Sequence, residues 1–209
     1  MIAIDIGTLV VVDAASRASG FDDAYRQTPP WDIGRPQRAF RALADANALH
    51  GRVLDVGCGT GEHALMAASL GFDATGIDGA PRAIDKATAK ARERALGVRF
   101  LIGDVLELAS LGERWDTVLD CGVFHVFDDD DRVTYVDSLA AAIPVGGRYF
   151  MLCFSDRQPG VAGPRRVSQD EIREAFADGW HVDSIEASVI ETNMQERSAQ
   201  AWLATIARV

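Results

Sequence analysis

The chain of 209 residues contains no apolar run long enough to span a bilayer, which argues against a helical membrane protein. It has no basic run either, and its net charge of −10 argues against nucleic acid or an anionic membrane as the main partner. Cysteine is scarce. Cys58, Cys121 and Cys153 are odd in number, each stands in or beside an expected strand, and none is at metal-ligand spacing. They read as small buried or pocket-lining residues in a reducing cytoplasm, with no metal site expected. The opening Met1-Ile-Ala-Ile-Asp-Ile6 lacks the basic region of a secretory signal, so a soluble, cytoplasmic chain is expected. There is no internal repeat and no low-complexity segment, so residues 1–209 are expected to form a single domain with ample material for one core.

What is present is organised around Arg52-Val-Leu-Asp-Val-Gly-Cys-Gly-Thr-Gly-Glu-His63. Val53-Leu54 and Val56 read as a buried strand ending in a glycine turn at Gly57, Gly59 and Gly61. Helical apolar spacing follows from His63 to Leu70. A strand, a tight glycine turn and a helix N-terminus form a backbone surface that a ligand approaches closely. The spacing is G-x-G-x-G, and Asp55 stands just ahead of the first glycine. A carboxylate there repels a pyrophosphate at the helix N-terminus but suits a ligand with cationic groups and no phosphate. S-adenosylmethionine, with its ammonium and sulfonium, is such a ligand. A nicotinamide-dependent oxidoreductase is the competing reading, disfavoured by that spacing, by Asp55 and by the lack of a Tyr-x-x-x-Lys pair.

From Gly51 onward strand and helix patterns alternate. Strands are expected over 73–77, 98–102, 115–121 and 148–154, and helices over 81–95 and 132–143. Ser168-Gln-Asp-Glu171 is a capping box opening another helix. Two closing strands, 180–190 and 199–206, have no helix between them. The pattern predicts an α/β fold: a doubly wound, seven-stranded, mostly parallel Rossmann-like sheet with a C-terminal antiparallel hairpin. Upstream, Thr28-Pro-Pro-Trp31-Asp-Ile-Gly34-Arg-Pro-Gln37 reads as a rigid loop leading into a helix over 38–49. Trp31 either packs on the core or covers a ligand. Residues 1–19 admit a short strand or an irregular leader.

Asp78, beside Gly79, lies about twenty residues beyond the glycine turn at the next strand's end, where an acid either meets ribose hydroxyls or caps the following helix. Asp104, in Gly103-Asp-Val105, ends the third strand and either caps a turn or meets a ligand. Asp120-Cys121-Gly-Val-Phe124-His125-Val-Phe127 ends the fourth strand at the switch point of the sheet. Gly122 gives backbone access, and Phe124 and Phe127 are candidates for an aromatic wall against a flat substrate. His125 is either a packing histidine or a general base, since it is the group there that titrates near neutral pH. Asp128 to Asp131 read as a solvated helix start.

The glycine stretch resembles motif I of the class I S-adenosylmethionine-dependent methyltransferases. With Pro-Pro-Trp-Asp-x-Gly-x-Pro ahead of it, the chain is similar to the small-molecule branch that holds the thiopurine, heterocyclic-toxin and quinone methyltransferases. The resemblance implies methyl transfer to O, N or S of a small aromatic or heterocyclic acceptor, in the manner of a detoxifying enzyme, by a monomer or homodimer. It implies that residues 1–50 form a lid segment and helix over a core at 51–209, with Tyr25, Trp31, Gly34 and Gln37 touching cofactor or acceptor. Asp55, Gly57, Cys58, Gly59, Gly61, Asp78, Gly79, Asp104, Val105, Asp120 and Cys121 would line the cofactor, with Asp104 and Val105 at the adenine. Trp31, Phe124, His125, Phe127 and Phe154 would face the acceptor. A methyltransferase-like module that binds cofactor without catalysis is the third reading.

Overall fold

The computed structural model describes residues 14–161, 163–194 and 198–209. The strands are β1 (Val53–Val56), β2 (Ala74–Asp78), β3 (Val98–Ile102), β4 (Thr117–Cys121), β5 (Arg148–Phe154), β6 (Trp180–Glu191) and β7 (Ser198–Arg208). The helices are α1 (Ala14–Ala24), α2 (Arg38–Asp45), α3 (Glu62–Ser69), α4 (Pro81–Glu93), α5 (Asp129–Ala142) and α6 (Gln169–Ala175). All seven strands form one sheet in the order β3-β2-β1-β4-β5-β7-β6. The first five are parallel to one another, β7 runs antiparallel to β5, and β6 returns antiparallel beside β7. This is the doubly wound sheet with a closing hairpin that the strand pattern predicts.

The sheet's two faces explain the apolar runs. All four residues of β1 are buried, as in a central parallel strand covered on both sides. Along β5, Tyr149, Met151 and Cys153 enter one cluster with Trp115, Tyr135 and Phe176, while Phe150 and Leu152 enter the other with Phe40, Met66 and Leu119. That is the period-two alternation of a strand. The strand order reverses between β1 and β4, so the carboxyl ends of these two strands frame a crevice.

Local chemistry sets the helix starts. Pro81 stands in the first turn of α4, and the Ser168/Glu171 capping box opens α6. Helix α5 starts in the acidic run ahead of Arg132 that reads as its solvated start: Asp128 caps it by accepting the Asp131 N–H, and Asp129 to Asp131 occupy its first turn. Helix α1 stands where the sequence pattern predicts only a leader and a loop. The strand considered over residues 2–12 lies outside the described residues. Two 3-10 turns, Val105–Leu111 and Phe124–Val126, follow β3 and β4.

The segment ahead of α2 is tied to the far end of the sheet. The Gln37 side-chain amide donates to Glu191 O at 3.0 Å and accepts from Glu191 N–H at 2.8 Å. Arg35 forks onto the Glu191 carboxylate with two contacts of 2.9 Å. Asn193 reaches Pro30 O through its backbone and Pro29 O through its side chain. Gln37 is buried, so removing its amide orphans two backbone groups. Gln37→Ala is expected to cost about 1–3 kcal/mol in urea unfolding and to expose the 21–37 segment to limited proteolysis. Unchanged stability and protection would show that the clamp is idle.

Candidate active site

The glycine turn is dictated by both backbone and crowding. Gly57, Gly59 and Gly61 have φ of 57°, 52° and 84°, a region costly for other residues. A Cβ on Gly57 would stand 2.3 Å from Val123 Cγ2, and one on Gly59 2.6 Å from Tyr25 Oη. Asp78, at the end of β2, closes the turn from the side. Its Oδ2 accepts from Gly59 N–H and its Oδ1 from Ala80 N–H, each at 2.8 Å. Burial raises its pKa against the pull of these two bonds. Each oxygen retains a further lone pair for a ligand hydroxyl. Beneath the turn Asp55 is buried. Its Oδ2 accepts from Ala64 N–H at 3.2 Å, whereas Oδ1 has no hydrogen bond among the described residues and lies 3.6 Å from His63 Nδ1.

Across the crevice, Asp120 ends β4 fully buried. Val123 N–H donates to its Oδ1 at 2.7 Å. Its Oδ2 accepts from Phe124 N–H at 3.2 Å, Tyr135 O–H at 2.9 Å and Tyr149 O–H at 2.5 Å. Burial pushes its pKa up to about 6 in spite of these donors. Asp120 is thus the knot that ties β4, the 3-10 turn, α5 and β5 together, and its oxygens are spent on the protein. Gly122, at φ 86°, leaves its bare Cα beside His125, whose Nε2 lies 3.1 Å from where a Cβ would stand. Phe154 N–H donates to His125 Nδ1 at 2.9 Å, and the Phe154 ring meets the imidazole edge-on at 5.0 Å. Burial first, then the positive charges of Arg132 and Arg166, hold the His125 pKa at about 3.

The N-terminal segment lies over the glycine turn. Tyr25 is buried, and its hydroxyl accepts from Trp31 Nε1 at 3.0 Å. Burial, reinforced by Asp78, raises the Tyr25 pKa. The half-exposed Trp31 stands edge-on to Tyr25 and Phe21. Asp32 accepts from Thr60 Oγ1 at 2.9 Å, and Lys90 donates to Thr60 Oγ1 at 2.7 Å and Glu62 at 2.8 Å.

The strand order places Asp55, Gly57, Cys58, Gly59, Gly61, Asp78 and Gly79 at the exits of β1 and β2, with Tyr25 and Trp31 over the turn, and Cys121, Gly122, His125 and Phe154 at the exits of β4 and β5. Asp104 stands at the end of β3, where its Oδ1 caps the following turn through Leu106 N–H at 2.9 Å; Val105 buries its side chain in the core. Four expectations change. Phe124 and Phe127 do not form a wall: the 3-10 turn swings both rings into the core, against Phe176 and Tyr135. Gln37 faces Glu191, and Gly34 makes an exposed turn. Asp120 braces the site from behind. His125, with Nδ1 occupied by a backbone donor, lacks the free lone pair that a general base presents. Asp32 was legible within the Pro-Pro-Trp-Asp motif but was not singled out, and nothing in the sequence marked Arg132 or Arg166.

A family model described as a methyltransferase domain matches residues 53–147. A 2-heptyl-1-hydroxyquinolin-4(1H)-one methyltransferase of Mycobacteroides abscessus is 36% identical over 196 residues, covering 87% of this chain and 86% of that relative. The chain belongs to the class I S-adenosylmethionine-dependent methyltransferases. A structure solved in work on the conversion of a disulfide bond into a thioacetal group during echinomycin biosynthesis shares 36% identity at a TM-score of 0.83, covering 91% of this chain and 92% of that one. The magnesium protoporphyrin IX methyltransferase of Synechocystis, solved with bound S-adenosylmethionine, shares the fold at 19% identity and a TM-score of 0.64, over 96% and 86% of the two chains. The methyltransferase's own residues fit that cofactor. The bare backbone of the glycine turn, the unspent lone pairs of Asp78 and the unsatisfied Asp55 oxygen form an acceptor-rich cradle for hydroxyls and a cationic group. No described helix is long and apolar enough to cross a membrane.

The buried Asp120 couples this site to pH. Its folded pKa of about 6 exceeds the ordinary 3.8, so the unfolded chain ionises first. Its contribution is complete below about pH 4 and declines as pH rises to about 6. Urea midpoints across this range should fall for the parent relative to Asp120→Asn, which cannot ionise. Parallel curves for the two proteins would contradict the linkage.

Proposed function

We propose that this methyltransferase transfers the methyl group of S-adenosylmethionine to O, N or S of a small aromatic or heterocyclic acceptor at the carboxyl end of β4. The reading is carried by one arrangement: a glycine turn held by Asp78 on one side of the switch point, and the bare Gly122 with His125 and Phe154 on the other. The hydroxyquinolinone in the name of the Mycobacteroides abscessus relative is a flat heterocycle of the proposed class. The net charge of −10 supports free small molecules in the cytoplasm as acceptors in preference to nucleic acid or membrane.

Bound S-adenosylmethionine supplies an electrophilic methyl on a positively charged sulfur. In this reading Asp78 accepts the ribose hydroxyls, and Asp104 with the Val105 backbone flanks the adenine. Gly57 to Gly61 let the chain approach the methionine portion, while Asp55 favours its positive charge. Residues 21–37, pinned by Asp32 and Gln37, act as a cover that excludes water, with Tyr25 and Trp31 over the turn. Trp31, Phe154 and His125 orient the acceptor. Proximity and alignment then contribute most of the acceleration, an effect of up to about 7–11 kcal/mol.

Asp78→Ala should weaken S-adenosylhomocysteine binding about 10- to 100-fold in calorimetry, with the fold intact by circular dichroism. Undiminished affinity would remove the ribose assignment. Methyl transfer to a panel of phenols, thiols and N-heterocycles tests the acceptor class, and transfer to none of them would refute it.

A further inference from the structure

The part His125 plays depends on which of its nitrogens carries the proton. A backbone N–H can only donate, so the 2.9 Å bond from Phe154 N–H to His125 Nδ1 requires a lone pair on Nδ1. The neutral ring then carries its proton on Nε2. Among the described residues Nε2 has no hydrogen-bond partner, and it lies over the bare Cα of Gly122 at the end of β4. Protonating Nδ1 would break the Phe154 bond and place a cation beside two guanidinium groups.

The other titratable groups around the ring do not supply a base. Arg132 on α5 and Arg166 in the loop after β5 are cations, with Arg132 lying 4.6 Å over the Phe124 ring and Arg166 5.3 Å over the Phe154 ring. Asp120 on β4 spends its carboxylate on four donors. Glu171 on α6 accepts from Arg132, Arg165 and Ser168 N–H. The Cys121 and Cys153 thiols are raised by burial and then by Asp120, so neither is a thiolate at neutral pH. On the cover, Asp32 engages Thr60 and Lys90 at the glycine turn and not the His125 ring, and the Tyr25 hydroxyl accepts from Trp31.

Resting on the methyl-transfer reading above, we propose that the enzyme deprotonates no acceptor: its substrates bind already as anions or as unprotonated ring nitrogens, and His125 donates a hydrogen bond from Nε2 to the reacting atom. The substrate class is thereby narrowed to acidic phenols and N-hydroxy heterocycles, thiols that ionise near neutral pH, and pyridine-like nitrogens. Alkyl alcohols are excluded. The proton of a hydroxyl or thiol leaves to water before transfer. The acceptor's lone pair then forms the bond to the methyl carbon as the carbon–sulfur bond breaks, and the electron pair of that bond stays on sulfur. The Nε2–H with Arg132 and Arg166 makes a positive field that favours an anionic oxygen or sulfur over its conjugate acid.

Two measurements decide the proposal. In the protein without added cofactor or acceptor, long-range nitrogen–proton NMR should show His125 as the Nε2–H tautomer with no titration between pH 5 and 9. An Nδ1–H tautomer, or a titration inside that range, would overturn the proposal. With methyl donor present, the pH midpoint of kcat/KM across a series of substituted phenols should follow each phenol's own pKa. His125→Ala should lower kcat/KM about 10- to 100-fold, and His125→Gln, whose amide N–H reaches the place of Nε2–H, should recover most of that loss. One midpoint shared by all phenols and lost in both variants would establish a general base instead. If transfer fails for every acceptor, the functional reading fails, and the NMR experiment still determines the tautomer.

Discussion

The site depends on a single buried carboxylate. Asp120 is fully buried and receives four hydrogen bonds, two from the backbone just after β4 and two from the tyrosines of α5 and β5. A charge in the interior is tolerated only when its lone pairs are met in this way. Meeting them folds the chain after β4 into a tight 3-10 turn. That turn sends Phe124 and Phe127 inward and brings His125 against Gly122 and Phe154. Asp120 touches no reacting atom under this arrangement, yet it sets where the histidine stands.

A second carboxylate does comparable work across the crevice. Asp78 bridges Gly59 N–H and Ala80 N–H, locking the glycine turn to the start of α4 while leaving lone pairs outward. The cover over the turn is held from both sides. Asp32 and Tyr25 attach it to the turn itself, and Gln37 and Arg35 attach it to Glu191 at the end of β6. The N-terminal segment and the closing hairpin are thus one mechanical unit although some 150 residues separate them in the chain, a span in which loop closure costs little more than it would for a shorter loop.

These constraints suit methyl transfer. The reaction asks the protein to align three atoms and exclude water, so a site can be built from bare backbone, aromatic edges and one oriented donor. Four acids frame the site: Asp78 and Asp104 at the ends of β2 and β3, Asp55 beneath the turn, and Asp120 sealed as a brace. Around His125 the charge is positive instead: burial, and after it Arg132 and Arg166, keep the ring neutral.

Much of this was readable in order along the chain. Strand alternation, the three glycines and the acids at successive strand ends are local signals, because their causes are local: a glycine permits positive φ, and a β-strand's exit places its last side chain at the sheet's edge. The wound sheet, its closing hairpin and the crevice followed from them. Side-chain roles that depend on partners distant in sequence were not readable. Whether Phe124 faces a ligand or Phe176, whether Gln37 meets a cofactor or Glu191, and which nitrogen of His125 holds the proton are settled by groups on other elements. The residues alone determined that a positively charged nucleoside suits the end of β1. Tertiary packing decided that the histidine opposite is a donor, because hydrogen-bond partners are assigned only when separate strands and helices meet.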